Sequence, residues 1–210
     1  MSMERPGYRY CRCLRPVSGS CACPTTKELT ACIPRILARG DDLPMSLPLK
    51  SPPYILREAT AADIPTLARH HRLMFEEIRH VDREPVDPAR MAAVEKAYAD
   101  KLHRELSTGT CTAWVVEREG IIAASGGMSR LQNVPVPEDL GCTVALLHSI
   151  YTEPGHRHHG CADMVVRAVL LRCQDEGICR VQLVASNAGL PLYTANGFSP
   201  FPNMMRRSLP

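Results

Sequence analysis

The sequence predicts an α+β fold, a twisted mixed sheet of about six or seven strands flanked by four helices. Three observations predict it. From Tyr54 onward, short β-capable runs alternate with amphipathic stretches of helical period. Proline and glycine punctuate these segments at fixed offsets. One run near the middle, Thr143 to Thr152, is apolar enough in its first half to be a central strand covered on both faces.

The elements follow in order. Tyr54 to Ala59 is a first strand, preceded by prolines. A helix then starts at Asp63 with Pro65 in its first turn, or a few residues earlier if Thr60 and Asp63 form a capping box. Ile64, Leu67, Ala68, His71, Met74, Phe75 and Ile78 mark its inner face. Asp87-Pro88 opens a second helix with Met91, Val94, Tyr98, Leu102 and Leu106 as its stripe, and Gly109 stops it. Thr110–Glu117 and Ile121–Met128 form a hairpin around Glu119-Gly120. Residues 130–141 read as a loop, and the central strand follows. A helix spans Gly160 to Glu176, a strand Ile178 to Ala185, a short helix Leu190 to Asn196, and a last strand or hairpin Phe198 to Leu209.

Residues 1–53 read as a separate zone, a cysteine- and proline-rich N-terminal extension expected to be mostly disordered, ahead of a domain at 54–210. Its C-x-C pairs raise the question of zinc, but the spacing is not that of a zinc knuckle, so no metal is expected. Lys and Arg total 25 against 22 Asp and Glu, and the excess lies in the first 50 residues. The near-neutral remainder gives no basis for a nucleic-acid partner. No apolar run reaches the length of a membrane span, and no signal-peptide core is visible, so the expectation is cytoplasmic, with no membrane partner.

The chemistry is concentrated where the central strand gives way to a long helix, at Arg157-His158-His159-Gly160-Cys161-Ala162. A helix N-terminus offers unpaired N–H groups and a partial positive charge, and small residues let an anion approach the backbone. Neither a Walker loop nor a Rossmann glycine fingerprint is present. The pattern Arg157-x-x-Gly160-x-Ala162 resembles the [QR]-x-x-G-x-[GA] pyrophosphate loop of the GNAT superfamily of N-acetyltransferases. Pro191-Leu192-Tyr193-x-x-x-Gly197-Phe198 is similar to that superfamily's short helix ending in Y-x-x-x-G-F.

The resemblance, over about residues 54–210, implies a GNAT-like fold and acetyl transfer from acetyl-CoA, as co-substrate, to a primary amine by direct attack. Ile150, Tyr151 and Thr152 would then pair with the pantetheine arm and acetyl carbonyl. Residues Arg157, His158, His159, Gly160, Cys161 and Ala162 would wrap the pyrophosphate, Asn187 would bond the pantetheine, and Tyr193 would protonate the departing thiolate. His158, His159 and Cys161 depart from the usual residues of that loop. The amine's proton needs a base. His148, which would alternate in side with Ser149 and titrate near neutrality, is one candidate, and Glu153, Glu76 and Glu77 are others. The two first helices and the 129–142 loop are expected to line the acceptor cleft. A homodimer is compatible with these features. The alternative is a non-catalytic acyl-CoA-binding or regulatory module.

Overall fold

The computed structural model describes residues 53–201 and 204–207. The cysteine-rich zone, apart from Pro53, lies outside the described residues, as do the expectations placed on it. Five strands make one mixed sheet in chain order: β1 (Ile55–Glu58), β2 (Cys111–Arg118), β3 (Ile121–Gln132), β4 (Thr143–Thr152) and β5 (Arg180–Gln182). The first four pair antiparallel, and β5 runs parallel to β4. Four helices flank the sheet: α1 (Ile64–Val81), α2 (Pro88–Glu105), α3 (Cys161–Asp175) and α4 (Leu190–Ala195).

Strand alternation divides the apolar residues between two cores. On one face Ala113 and Val115 pack with Ile64, Leu67, Tyr98 and Leu102 of α1 and α2. On the other, Trp114, Val116, Ala124, Met128 and Leu147 meet Val165, Val166 and Val169 of α3. The helix starts follow their caps. Chain reversal before α1 begins early, in a 3₁₀ turn at Ala61–Asp63. There the Asp63 carboxylate accepts from the Thr60 N–H at 2.7 Å and from both terminal nitrogens of Arg57, at 2.8 and 2.9 Å. The Arg57 hydrogen bonds hold that carboxyl down to about 2. Asp87 caps α2 by accepting from the Ala89 N–H at 2.9 Å.

Among the described residues the strand count is five rather than six or seven. No strand forms among the described residues after Phe198. Pro200 and Pro202 there lack the N–H that a ladder needs. The fifth strand is also shorter than its expected span, three residues in place of Ile178 to Ala185. Conversely, β3 continues to Gln132, pairing with Thr143, so part of the expected 130–141 loop is strand.

Two irregularities on β4 shape the site. Its pairing with β5 covers only Val144, Ala145 and Leu146. From Leu147 on, that edge of β4 has no strand partner among the described residues. On the other edge, Ser125 pairs with Tyr151 but Gly127 with His148, so Ser149 and Ile150 together oppose Gly126. This is a β-bulge. Ser149 takes φ 59°, a left-handed conformation unusual for a residue with a Cβ.

Candidate active site

At the C-terminal end of β4 the chain makes a 3₁₀ turn at Pro154–His156 and then enters α3. His158 (φ 62°) and Gly160 (φ 78°) are both left-handed, and Gly160 is the N-cap of α3. Left-handed Gly160 followed by helical Cys161 turns successive N–H groups toward a common concavity, a form of anion nest. The N–H groups of residues 158–163 find no backbone carbonyl among the described residues; the first such bond in the helix is Met164 N–H to Gly160 O, at 3.0 Å. Space above Gly160 is open, since a Cβ placed there would meet nothing within 4 Å. Together the orphan amides and the helix dipole suit a linked diphosphate.

The side chains of this loop do different work from its backbone. Cys161 is 2% exposed and packs in the α3 core, where burial raises its thiol pKa. It can contribute its N–H but not its sulfur. His159 Nδ1 donates to the Arg157 carbonyl at 2.7 Å. Arg157 turns back toward the sheet: Nε donates to the Thr152 carbonyl at 3.1 Å, and a terminal nitrogen to Glu77 at 2.6 Å. Tyr151, buried on the α1 face, also donates to Glu77, at 3.2 Å. Glu77 thus ties α1 to the end of β4. Ile150 points the other way, against Val165 and the open face of Gly126.

Tyr193 lies half-buried on α4, edge-on to Phe198 with ring centroids 5.9 Å apart. Burial raises its pKa, so the phenol keeps its proton at neutral pH. Asn187 is exposed in the turn between β5 and α4.

His148 behaves differently from the sequence expectation in two respects. It does not alternate in side with Ser149, because the bulge puts both side chains on the α1/α2 face, 3.1 Å apart. It does not titrate near neutrality either. Burial, then the nearby Lys101 charge and His71, push its pKa down to about 3. Both ring nitrogens are engaged, Nδ1 with Tyr98 (3.2 Å) and Ser149, Nε2 with Ser129 (2.9 Å). Ser129 also accepts from Lys101 at 2.9 Å.

The same cluster contains two histidines whose roles the sequence reading missed. Ser149 bonds His71 Nδ1 at 2.8 Å, and the His71 ring stacks on Tyr98 at 4.0 Å. His71 Nε2 makes no hydrogen bond among the described residues. Burial and Lys101 lower its pKa to about 4. His70 is fully buried between Ser125 (2.8 Å) and Glu153 (3.1 Å). Burial alone would raise Glu153, but Arg69 and His70 hold its carboxyl below the usual range. The available signal was the S-x-G-x-S spacing of Ser125, Gly127 and Ser129. Small residues on one strand face leave room for imidazoles from the helix stripe opposite.

Of the remaining carboxylates, Glu76 pairs with Arg72 at 2.7 Å. Glu76 and Glu77 line a cleft with Leu73, His80, Val86 and Arg157. No group of three or more His, Cys, Asp or Glu among the described residues is arranged to hold a metal ion. No helix among them is long and apolar enough to cross a membrane.

The mostly antiparallel sheet, the unpaired edge of β4 and the amide nest at α3 make an α+β fold that is GNAT-like in comparison with known proteins. Residues 109–200 match the family described as acetyltransferase (GNAT) domain. That stretch of the chain is similar to a GNAT domain. Its fold is similar to that of a GCN5-related N-acetyltransferase from Ralstonia eutropha, with 25% identity and a TM-score of 0.66 over 74% of this chain and 99% of that one. A predicted acetyltransferase from Clostridium acetobutylicum, solved with acetyl-CoA, shares the fold at 20% identity and TM-score 0.65, over 74% and 96% of the two chains. An aminoglycoside N-acetyltransferase in complex with CoA shares it at 15% identity and TM-score 0.57, over 78% and 99%. No curated protein sequence matches the chain.

Proposed function

We propose that residues 54–210 are the catalytic unit of an acetyl-CoA-dependent N-acetyltransferase that acts on a primary amine. The observation that carries this reading is the row of unpartnered amides at residues 158–163, set where α3 begins and beside the open edge of β4. Those amides fit the pyrophosphate, and the free β4 edge at Ile150 to Thr152 fits an extended amide-bearing arm such as pantetheine. Two exposed free thiols, Cys142 and Cys179, suit a reducing compartment such as the cytoplasm.

The chemistry asks four things of the chain. A backbone N–H near Ile150 stabilises the oxyanion as the amine nitrogen bonds the acetyl carbon. Tyr193, protonated because it is buried, gives its proton to the sulfur as the carbon–sulfur bond breaks. The amine's surplus proton is taken at the His71–Ser149–His148 cluster, whose imidazoles are neutral at physiological pH, and goes to bulk water as the product leaves. The cleft beside Glu76, Glu77 and His80 gives a cationic acceptor a route to the end of β4.

The engagement of both His148 nitrogens favours one competing reading, a module that binds acyl-CoA without turnover. Thiol release from acetyl-CoA in the presence of a panel of primary amines separates the two. Sustained release that depends on the amine is expected. Binding of CoA without amine-dependent release would establish the binding-only module.

A further inference from the structure

Next to the α3 nest stands a cation that the nest does not use. Arg118 is the last residue of β2, on the same strand face as Trp114 and Val116, which pack under α3. It forms no hydrogen bond or ion pair among the described residues, and its Nε is buried without a partner. Its guanidinium carbon lies 5.5 Å from the centroid of the Tyr54 ring. The Tyr54 hydroxyl is hydrogen bonded to His156 Nδ1 at 2.9 Å, and the ring lies 5.7 Å from that of His159. His159 uses Nδ1 on the Arg157 carbonyl, which leaves Nε2 for another partner.

A guanidinium keeps its charge at every physiological pH, so a buried donor on it that meets nothing is costly. Stacking on Tyr54 offsets part of that cost through the ring's negative face but satisfies no N–H. Its terminal nitrogens, which make no hydrogen bond or ion pair among the described residues, suit an anion with several acceptor oxygens, and a phosphate monoester matches the planar fork. His159 is the residue before Gly160, so the Tyr54 ring on which Arg118 stacks lies beside the diphosphate nest. Coenzyme A carries, besides its diphosphate, one phosphate monoester on the ribose 3′ oxygen.

We propose that Arg118, with His156 and His159 arranged around Tyr54, is the subsite for the 3′-phosphate of coenzyme A. The proposal rests on the acetyl-CoA reading above and adds a selectivity to it: the protein prefers CoA over 3′-dephospho-CoA.

Calorimetric titration of the full chain with each nucleotide tests this. The unmodified protein is expected to bind CoA about tenfold or more tightly than dephospho-CoA, the range for hydrogen bonds to a charged group. In Arg118→Met the preference should fall to within about twofold while dephospho-CoA affinity stays unchanged, and Arg118→Lys should fall between. Equal affinity of the unmodified protein for the two nucleotides would overturn the subsite alone, whatever the variants do. Equal weakening of both nucleotides in Arg118→Met would also overturn it, since that marks a structural role. Absence of binding to either nucleotide would remove the acetyl-CoA reading and the subsite together.

Discussion

Gly126 is the position at which packing, the β4 bulge and the cofactor nest meet, and replacing it by alanine tests how they are joined. It faces the two residues of the bulge, Ser149 and Ile150. A Cβ there would lie 2.2 Å from Ile150 Cδ1 and 2.8 Å from Val165 Cγ1. The first contact is with the far end of a flexible side chain and can be relieved by rotation. The second cannot: Val165 is fully buried, and a valine in a helix has one strongly preferred rotamer. Relief therefore requires α3 to move away from the sheet. Overpacking of this kind costs about 1–3 kcal/mol, reduced by up to about 1 kcal/mol because alanine loses less backbone entropy than glycine. The middle of the resulting range, a net loss of about 1–2 kcal/mol, corresponds to a melting temperature lower by roughly 2–8 °C for a domain of this size. Since α3 carries the nest at its first turn, CoA affinity should fall with it. Gly155→Ala is the control, because a Cβ there meets nothing within 4 Å. Thermal unfolding by circular dichroism and calorimetry with CoA provide the readouts. If Gly126→Ala melted within 1 °C of the unmodified protein and bound CoA equally well, the close approach of α3 to the bulge would not matter as argued.

Two further outcomes follow from the site. Tyr193→Phe should lower turnover about 100-fold, the lower end for loss of a general acid, while acetyl-CoA affinity by calorimetry changes less than twofold; undiminished turnover would remove Tyr193 from the chemistry. The folded pKa values of His148, about 3, and His71, about 4, lie below the ordinary histidine value of about 6.5. The stability they confer is complete above about pH 6.5 and is lost as pH falls toward 4 and then 3, because the unfolded chain takes up protons that the buried rings refuse. The melting temperature should fall between pH 7 and 4.5, less steeply in His148→Asn; an unaltered slope in that variant would exclude His148 as a source.

Most of the domain was legible because its signals were local. Asp87-Pro88 marked the start of α2, and period-2 and 3.6-residue patterns separated strands from helices between Ile55 and Asp175. The ambiguity at the start of α1 could be settled only by the partner of Asp63, Arg57, which comes from β1. The expected last strand shows the limit of apolar content as a guide: the run from Phe198 contains hydrophobic residues, but its prolines withhold donors. The nest was readable as a motif, because Gly160 needs its left-handed φ and the motif carries that requirement. The bulge was not. Nothing in Leu147-His148-Ser149-Ile150 announces a left-handed serine, and the only trace lies on the facing strand, in the paired glycines 126 and 127. With the bulge unseen, His148 was assigned to the wrong side relative to Ser149, and its links to His71 and Tyr98 could not be found. Its low pKa was hidden for the same reason, since that depends on burial and on Lys101 from α2.

The most direct test is a titration of ¹⁵N-labelled protein with CoA, followed by the amide resonances of His158 through Asp163. Displacement of these signals, larger than for amides elsewhere on the sheet and saturating with the nucleotide, is the predicted result. Saturable binding that left all of them in place, or no binding at millimolar CoA, would contradict the assignment of the α3 N-terminus as the diphosphate site.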